Sequence, residues 1–200
     1  MSLRLAALLV VLLVAGCTAA SNGEIATPPA DNPTLAQIYA EDQADTERNA
    51  VRFDGGERPT RAMLANLPAE LAEDVARFVV VDSVRAAGGI RTANDHYHAA
   101  MVYQHGADTT SYRLAYEHAR RAVERDPDHA EAKWLSAAAW DRYLDESGRA
   151  QWYGTQYRCE DGVRRLLPVD EGRVTDDERV ALGVPTLAEA RAREGTECGS

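Results

Sequence analysis

Lysine is almost missing from this chain: Lys133 stands alone beside 21 arginines. Together with the abundant alanine, that bias points to a GC-rich genome and carries no functional message. A surplus of positive charge is lacking too. The formal charge is −10, one unit more negative once Arg4 is removed with a leader, and an acidic body repels phosphate backbones and anionic headgroups, which excludes nucleic acid as a partner. No apolar run is long enough to span a bilayer, because the longest, Leu5 to Ala15, falls well short of the ~20 residues a spanning helix needs. The three cysteines show no paired Cys-x-x-Cys spacing for zinc. A Gly-x-Ser-x-Gly elbow is absent, and Gly88-Gly89 lacks the lysine of a phosphate loop.

What is present is ordinary globular composition, 45% apolar and 27% charged, which excludes a wholly disordered or collagen-like chain. At the N-terminus a single arginine precedes eleven apolar residues, the signature of an export signal over residues 1–16. Val14-Ala15-Gly16-Cys17 resembles the lipobox of bacterial lipoproteins. That resemblance implies an acylated Cys17 as the mature N-terminus, a lipid bilayer as partner, and a place on the exported side of a bacterial cell envelope. Several acyl chains at roughly 0.8 kcal/mol per buried CH₂ would hold the body firmly. Residues 17–33 are small, polar and proline-bearing, and read as a flexible tether. In an exported body the remaining pair, Cys159 and Cys198, reads as one disulfide closing the C-terminal segment; two unpaired thiols are the alternative.

Residues 34–200 read as a single helical domain. Leu35, Ile38, Tyr39 and Asp42 share a face, predicting a helix from Thr34 to about Arg48. Pro68 suits the first turn of a second helix ending at Gly88-Gly89, with Leu71, Val75, Phe78, Val79 and Asp82 on its face. Three more follow: Thr92 to His105 with Asn94 as a candidate cap, Thr110 to Arg125, and His129 to Glu146 with Trp134, Leu135, Ala138, Ala139 and Tyr143 inward. Beyond Gly148 the chain looks irregular, with apolar clusters at Val163 to Val169 and Val180 to Leu187. The expected class is all-α, antiparallel helical hairpins with an irregular C-terminal segment. Ala115, Ala119, Ala122 and Pro127, followed by Ala130, Ala132 and Trp134, resemble two adjoining helices of tetratricopeptide units. The loop before Tyr112 is about three residues too long for the ~34-residue period, so the pair reads as degenerate.

The densest polar signal is Asp141-Arg142 followed by Gln151, Tyr153, Thr155 and Gln156. Both charged side chains border an apolar face and must be paired or hydrogen-bonded if buried, so the group makes either a structural network or a pocket for an anionic or polar ligand. Asp42-Gln43 with Arg48, Gln104-His105-Gly106 at a helix end, Asp141-Arg142, and Gln151-x-Tyr153-Gly154-Thr155-Gln156 occur in the same order in the DUF6624-type family, which this chain resembles from about Leu35 to Pro185. That family has no assigned activity, so the resemblance implies a helical body and nothing about function. It groups Asp42, Gln43, Arg48, His105, Asp141, Arg142, Gln151, Tyr153, Thr155 and Gln156 as one polar cluster. His98 and His105 share a helix face while His96 points away, so three-way metal ligation is awkward; a two-histidine site completed by Asp42 or Asp45 is the alternative to the preferred reading of solvated or capping histidines, and no metal or other cofactor is expected. An interaction module, for a protein, a peptide or a small ligand, is therefore expected over an enzyme. The competing reading is a hydrolase-type site with His105 as general base, oriented by Asp42 or Asp141.

Overall fold

The computed structural model describes residues 28–53, 61–106 and 108–197, with side chains described outside 46–53 and 61–71. The leader, the lipobox with Cys17, most of the tether, Cys198 and the side chain of Arg48 lie outside that set. Five helices come first: α1 (Pro33–Phe53), α2 (Arg61–Ala86), α3 (Ala93–Tyr103), α4 (Thr109–Arg125) and α5 (Ala130–Glu146). A hairpin of β1 (Tyr157–Glu160) and β2 (Val163–Leu166) follows, then α6 (Asp176–Ala181) and α7 (Leu187–Ala192). Helix dominates, as expected, but the hairpin corrects an all-α reading. Its cause is local: Asp161 (φ 52°) and Gly162 (φ 75°) form the two-residue left-handed turn that matches strand twist, and Tyr157 pairs with Leu166. The C-terminal segment is ordered on this hairpin, because Glu197 pairs with Val163 and the amide of Arg164 donates to the Thr196 carbonyl. Cys159 is disulfide-bonded; its expected partner, Cys198, is outside the described residues.

Two helix starts differ from expectation. Thr92, not Asn94, caps α3: its side chain accepts from the Asp95 amide while the Asp95 carboxylate accepts from the Thr92 amide, a reciprocal capping box. Asn94 instead donates to Asp31. α2 begins at Arg61, so Pro68 sits inside it, where its ring forgoes one backbone hydrogen bond without ending the helix. The α2 stripe is also rotated. Val75 (58% exposed) and Val79 (64%) face outward, while Val81 is fully buried and Phe78 and Val84 pack on the core. Residues 78–81, Phe-Val-Val-Val, are apolar on every side, so periodicity cannot choose between the stripes. Tyr103 chooses, by packing on Phe78 and donating its hydroxyl to Asp82 at 2.6 Å.

The core lies where α1, α2, α4 and α5 meet α3, built on Leu35, Val81, Val102, Tyr103 and three alanines, Ala99, Ala115 and Ala139. A second group, Ala100, Ala119 and Leu135, welds α3, α4 and α5. Small side chains let these three consecutive helices pack closely, and their short connections make them antiparallel neighbours. On α5 Ala137, Ala138 and Ala139 are all buried because the helix is covered on more than one side, and the large Trp134 is left outside at 43% exposure. Asp95 anchors the chain entry: one of its carboxylate oxygens accepts from Asn32, the other from Arg91 and Thr92.

Inside the α3–α4 contact, His96 and His118 are buried with Nδ1 atoms 2.9 Å apart, so one ring donates to the other and both are neutral. Burial, reinforced by Arg121 and other nearby arginines and opposed by Asp95 and Asp82, pushes His96 down to about 4 and His118 to about 3. In the unfolded chain both return to 6.5. The unfolded state therefore binds more protons below that value, and stability, complete above 6.5, is lost as pH falls towards 4. Urea unfolding from pH 7 to 4.5 should show this decline, and His118→Asn, which keeps a partner for His96 but removes one titrating ring, should make it shallower.

Candidate functional site

The end of α5 places two adjacent charged residues on different sides of one helix. Asp141, fully buried, faces the segment after Gly148. That segment curls around its carboxylate: Oδ1 accepts from the amides of Trp152 (2.8 Å) and Tyr153 (3.0 Å), and Oδ2 from the amide (3.0 Å) and hydroxyl (2.8 Å) of Thr155. Gly154, at φ 81°, supplies the left-handed bend that lets amides on both sides of it reach one carboxylate. Burial pushes the Asp141 carboxyl above its ordinary range, and the four donors oppose that push. All four contacts are donors, so the anion is the species the segment is shaped to hold.

Gln151, fully buried, closes the next layer. Its amide nitrogen donates to the carbonyls of Gln156 (3.0 Å) and Leu167 (2.9 Å), and its oxygen accepts from the Gln156 amide (2.9 Å). Every polar atom of that side chain is satisfied. Arg179, 2% exposed, ties the segment to α6 by donating to the carbonyls of Tyr153 and Trp152 and to Asp176. Sequence reasoning missed Arg179, since its partners lie 26 and 27 positions away. Trp140 packs among Tyr116, Tyr143 and Trp152 on the same flank, with its indole N–H buried and without an acceptor; the Trp152 ring stands edge-on to it.

Arg142 faces the other way. Its Nη1 donates to the Gln104 carbonyl at the end of α3 (2.9 Å) and its Nε to Gln156 Oε1 (3.3 Å). Half-buried, it is pushed below the ordinary arginine range by burial, and Tyr112 is its electrostatic neighbour. Beyond Gln104, His105 Nε2 lies 3.3 Å from Oδ2 of the buried Asp42, which also accepts from Gln43 (2.9 Å). The histidine contact is at ion-pair distance but out of hydrogen-bond alignment, which leaves Nε2 buried and without an aligned acceptor. Asp42, Gln43, His105, Arg142, Gln156, Thr155, Asp141 and Gln151 thus follow one another through Gln104, a residue that sequence reasoning did not single out as a link. Tyr153 joins through its backbone, and Arg48 lies outside the described side chains.

Of the two carboxylates considered for His105, Asp42 meets it and Asp141 is spent on residues 152–155. His98 stacks on Tyr39 at 4.4 Å, apart from the His105–Asp42 contact, and no group of three metal-binding side chains forms among the described residues. Among the described residues, surface cavities lie elsewhere: one of about 440 Å³ between α1 and α2, bordered by Ile38, Asp45 and Arg77, and one of about 460 Å³ beside Val180 and Pro185. No family model, curated protein or solved structure matches the chain.

Chemically, the site divides. The Asp141–Gln151 unit is closed and satisfied, whereas Arg142 retains unused donors. Asp141→Asn places an amide N–H against donors and should cost about 3 kcal/mol in urea unfolding, and Gln151→Ala about 2 kcal/mol, by stranding buried backbone groups. Both losses should appear without any added ligand.

Proposed function

We propose that this protein is an exported, lipid-anchored binding module of the bacterial cell envelope. The anchor rests on the lipobox-like Val14-Ala15-Gly16-Cys17 at the end of a short apolar run. For the body, the supporting feature is the stack of α3, α4 and α5, which we read as a degenerate tetratricopeptide-like hairpin pair offering a surface for a peptide or small ligand. The most specific of the motifs that resemble the DUF6624-type family, Gln151-x-Tyr153-Gly154-Thr155-Gln156 after Asp141-Arg142, falls on the segment around the Asp141 carboxylate, and that segment acts in this reading as scaffold. Among the described residues no helix is long and apolar enough to cross a membrane.

One observation carries the binding reading: Arg142 is half-buried at the junction of α3 and α5, and no carboxylate lies within 4.0 Å of it among the described residues. A cation withdrawn from water without a counter-charge is a place where a ligand's polar or anionic group gains most. A second reading, a hydrolase using His105, is favoured by the buried Asp42 beside a partly exposed imidazole. It lacks a nucleophile among the motifs of the chain.

Palmitate labelling of the wild type and Cys17→Ser tests the anchor; label lost from the variant is expected, and equal label in both overturns it. For the site, an NMR screen of polar fragments on the full chain should perturb Gln104, His105, Tyr112 and Arg142. Hits confined to other surfaces would overturn the binding reading, and hydrolysis of a small ester panel that disappears in His105→Gln would replace it with the enzyme.

A further inference from the structure

On α6 an arginine is turned inward and the valine after it outward. Arg179 donates to the carbonyls of Trp152 and Tyr153 and to Asp176, and Val180 is left 59% exposed. A single exposed valine is ordinary, but this one is not isolated. It borders a surface cavity of about 460 Å³, completed by Gly183, Val184, Pro185, Glu189 and Arg193. That volume is within the range of small-molecule sites. Gly183, at φ 70°, turns the chain from α6 towards α7, and a Cβ placed on it would meet nothing within 4 Å. The walls are held in place by the fold. Asp176 Oδ1 accepts from Arg179 (3.0 Å) and from the Leu187 amide (2.8 Å), which clamps α6 to the start of α7, while the Tyr157 hydroxyl donates to the Ala190 carbonyl (2.9 Å) and ties α7 to the hairpin.

Two charged side chains line the cavity, and they differ in what they have already spent. Oε2 of Glu189 accepts from the amide and the hydroxyl of Thr186, both at 2.8 Å, as part of the capping box of α7. Arg193 makes no side-chain hydrogen bond, and no carboxylate lies within 4.0 Å of its guanidinium among the described residues. Its neighbours Arg191 and Arg173 pair with Glu171 and Asp170. The charge left to be matched is therefore positive, and it stands at the edge of an apolar wall. A ligand complementary to both carries one negative charge on a short apolar body. A dianion is disfavoured by the acidic first turn of α6, Asp176, Asp177 and Glu178, and by the chain's charge of −10.

We propose that the cavity between α6 and α7 binds a short apolar monocarboxylate, its head group on the Arg193 guanidinium and its hydrocarbon against Val180 and Pro185. A planar guanidinium matches the two coplanar oxygens of a carboxylate. A free short-chain acid and the carboxyl end of a peptide finishing in an apolar residue share this chemistry. The site is separate from the Gln104–Arg142 junction, and neither reading depends on the other. The competing role of Arg193 is that of a cation at the C-terminal end of α7, complementing the helix dipole. That role needs no apolar surface beside it.

The test uses the full chain at constant ionic strength. Sodium hexanoate, acetate, hexanol, hexylamine and hexyl phosphate, then acetyl-leucine and acetyl-leucinamide, are titrated while the backbone amide signals of Val180, Gly183 and Arg193 are followed by NMR. Hexanoate should shift all three saturably and bind about tenfold more tightly than acetate, hexanol or hexylamine. Whichever of hexanoate and acetyl-leucine binds more tightly identifies the free acid or the chain terminus as the source. Arg193→Gln should weaken hexanoate binding about tenfold and Val180→Thr several-fold, both with unchanged melting temperatures because both side chains are exposed. Hexanol, hexylamine or hexyl phosphate binding as tightly as hexanoate, or acetyl-leucinamide as tightly as acetyl-leucine, overturns the carboxylate class. Acetate binding as tightly as hexanoate overturns the role of the apolar wall. Hexanoate that leaves these signals unmoved, or binds both variants as well as the wild type, overturns the site and leaves Arg193 as the cap of α7.

Discussion

A single buried carboxylate organises the C-terminal third of this protein. Asp141 collects three backbone amides and one hydroxyl from residues 152–155, and without a counter-cation in contact it is those four donors that make its burial tolerable. The consequence runs in two directions. Backwards, the carboxylate belongs to α5, whose alanine-rich faces pack on α4, so the anchor is attached to the most tightly assembled part of the body. Forwards, it sets where the chain turns at Gly154, which determines that Gln151 meets Leu167 and that Arg179 can reach two carbonyls of the same segment.

The same constraint sends the two charged residues to different partners. Adjacent residues on a helix point about 100° apart, so a helix that aims Asp141 at the C-terminal segment must aim Arg142 elsewhere. Arg142 reaches the end of α3, where the chain leaves the helix at Gln104. Gly106 is needed there, because a Cβ would collide with Ser111 on the next helix. The charged pair therefore forms no salt bridge with itself or with described neighbours: its anion accepts from residues 152–155 and its cation donates to Gln104 and Gln156. The carboxylate holds the C-terminal segment, and the guanidinium ties that segment's Gln156 to the end of α3.

The histidines follow a different logic. His96 and His118 satisfy each other inside the core, His98 leans on Tyr39, and His129 caps α5 by accepting from the Ala132 amide. Their clustering in sequence suggests shared chemistry, but these four make three separate contacts, and His105 alone reaches the polar chain that contains Arg142. Proximity along a helix is a poor guide here because a turn of helix distributes neighbours over three directions.

The sequence alone determined the five long helices, since their apolar positions recur with helical period between strong punctuation such as Gly88-Gly89, Gly106, Pro127 and Gly148. It also carries the hairpin signal in Asp161-Gly162, a turn whose flanking strands are too short and too mixed in polarity to announce themselves. Asp42, Gln43, His105, Asp141, Arg142, Gln151, Thr155 and Gln156 were legible as an ordered set of motifs, while Gln104 as their link, Arg179 and the roles within the set were not. Only the tertiary structure decided that Val81 rather than Val79 enters the core, because an all-apolar run offers several faces and packing against Tyr103 selects one. Only it decided that Asp141 is saturated and Arg142 is not. Hydrogen-bond satisfaction is a count over partners brought from 11 to 38 positions away, and no local pattern of residues holds that count.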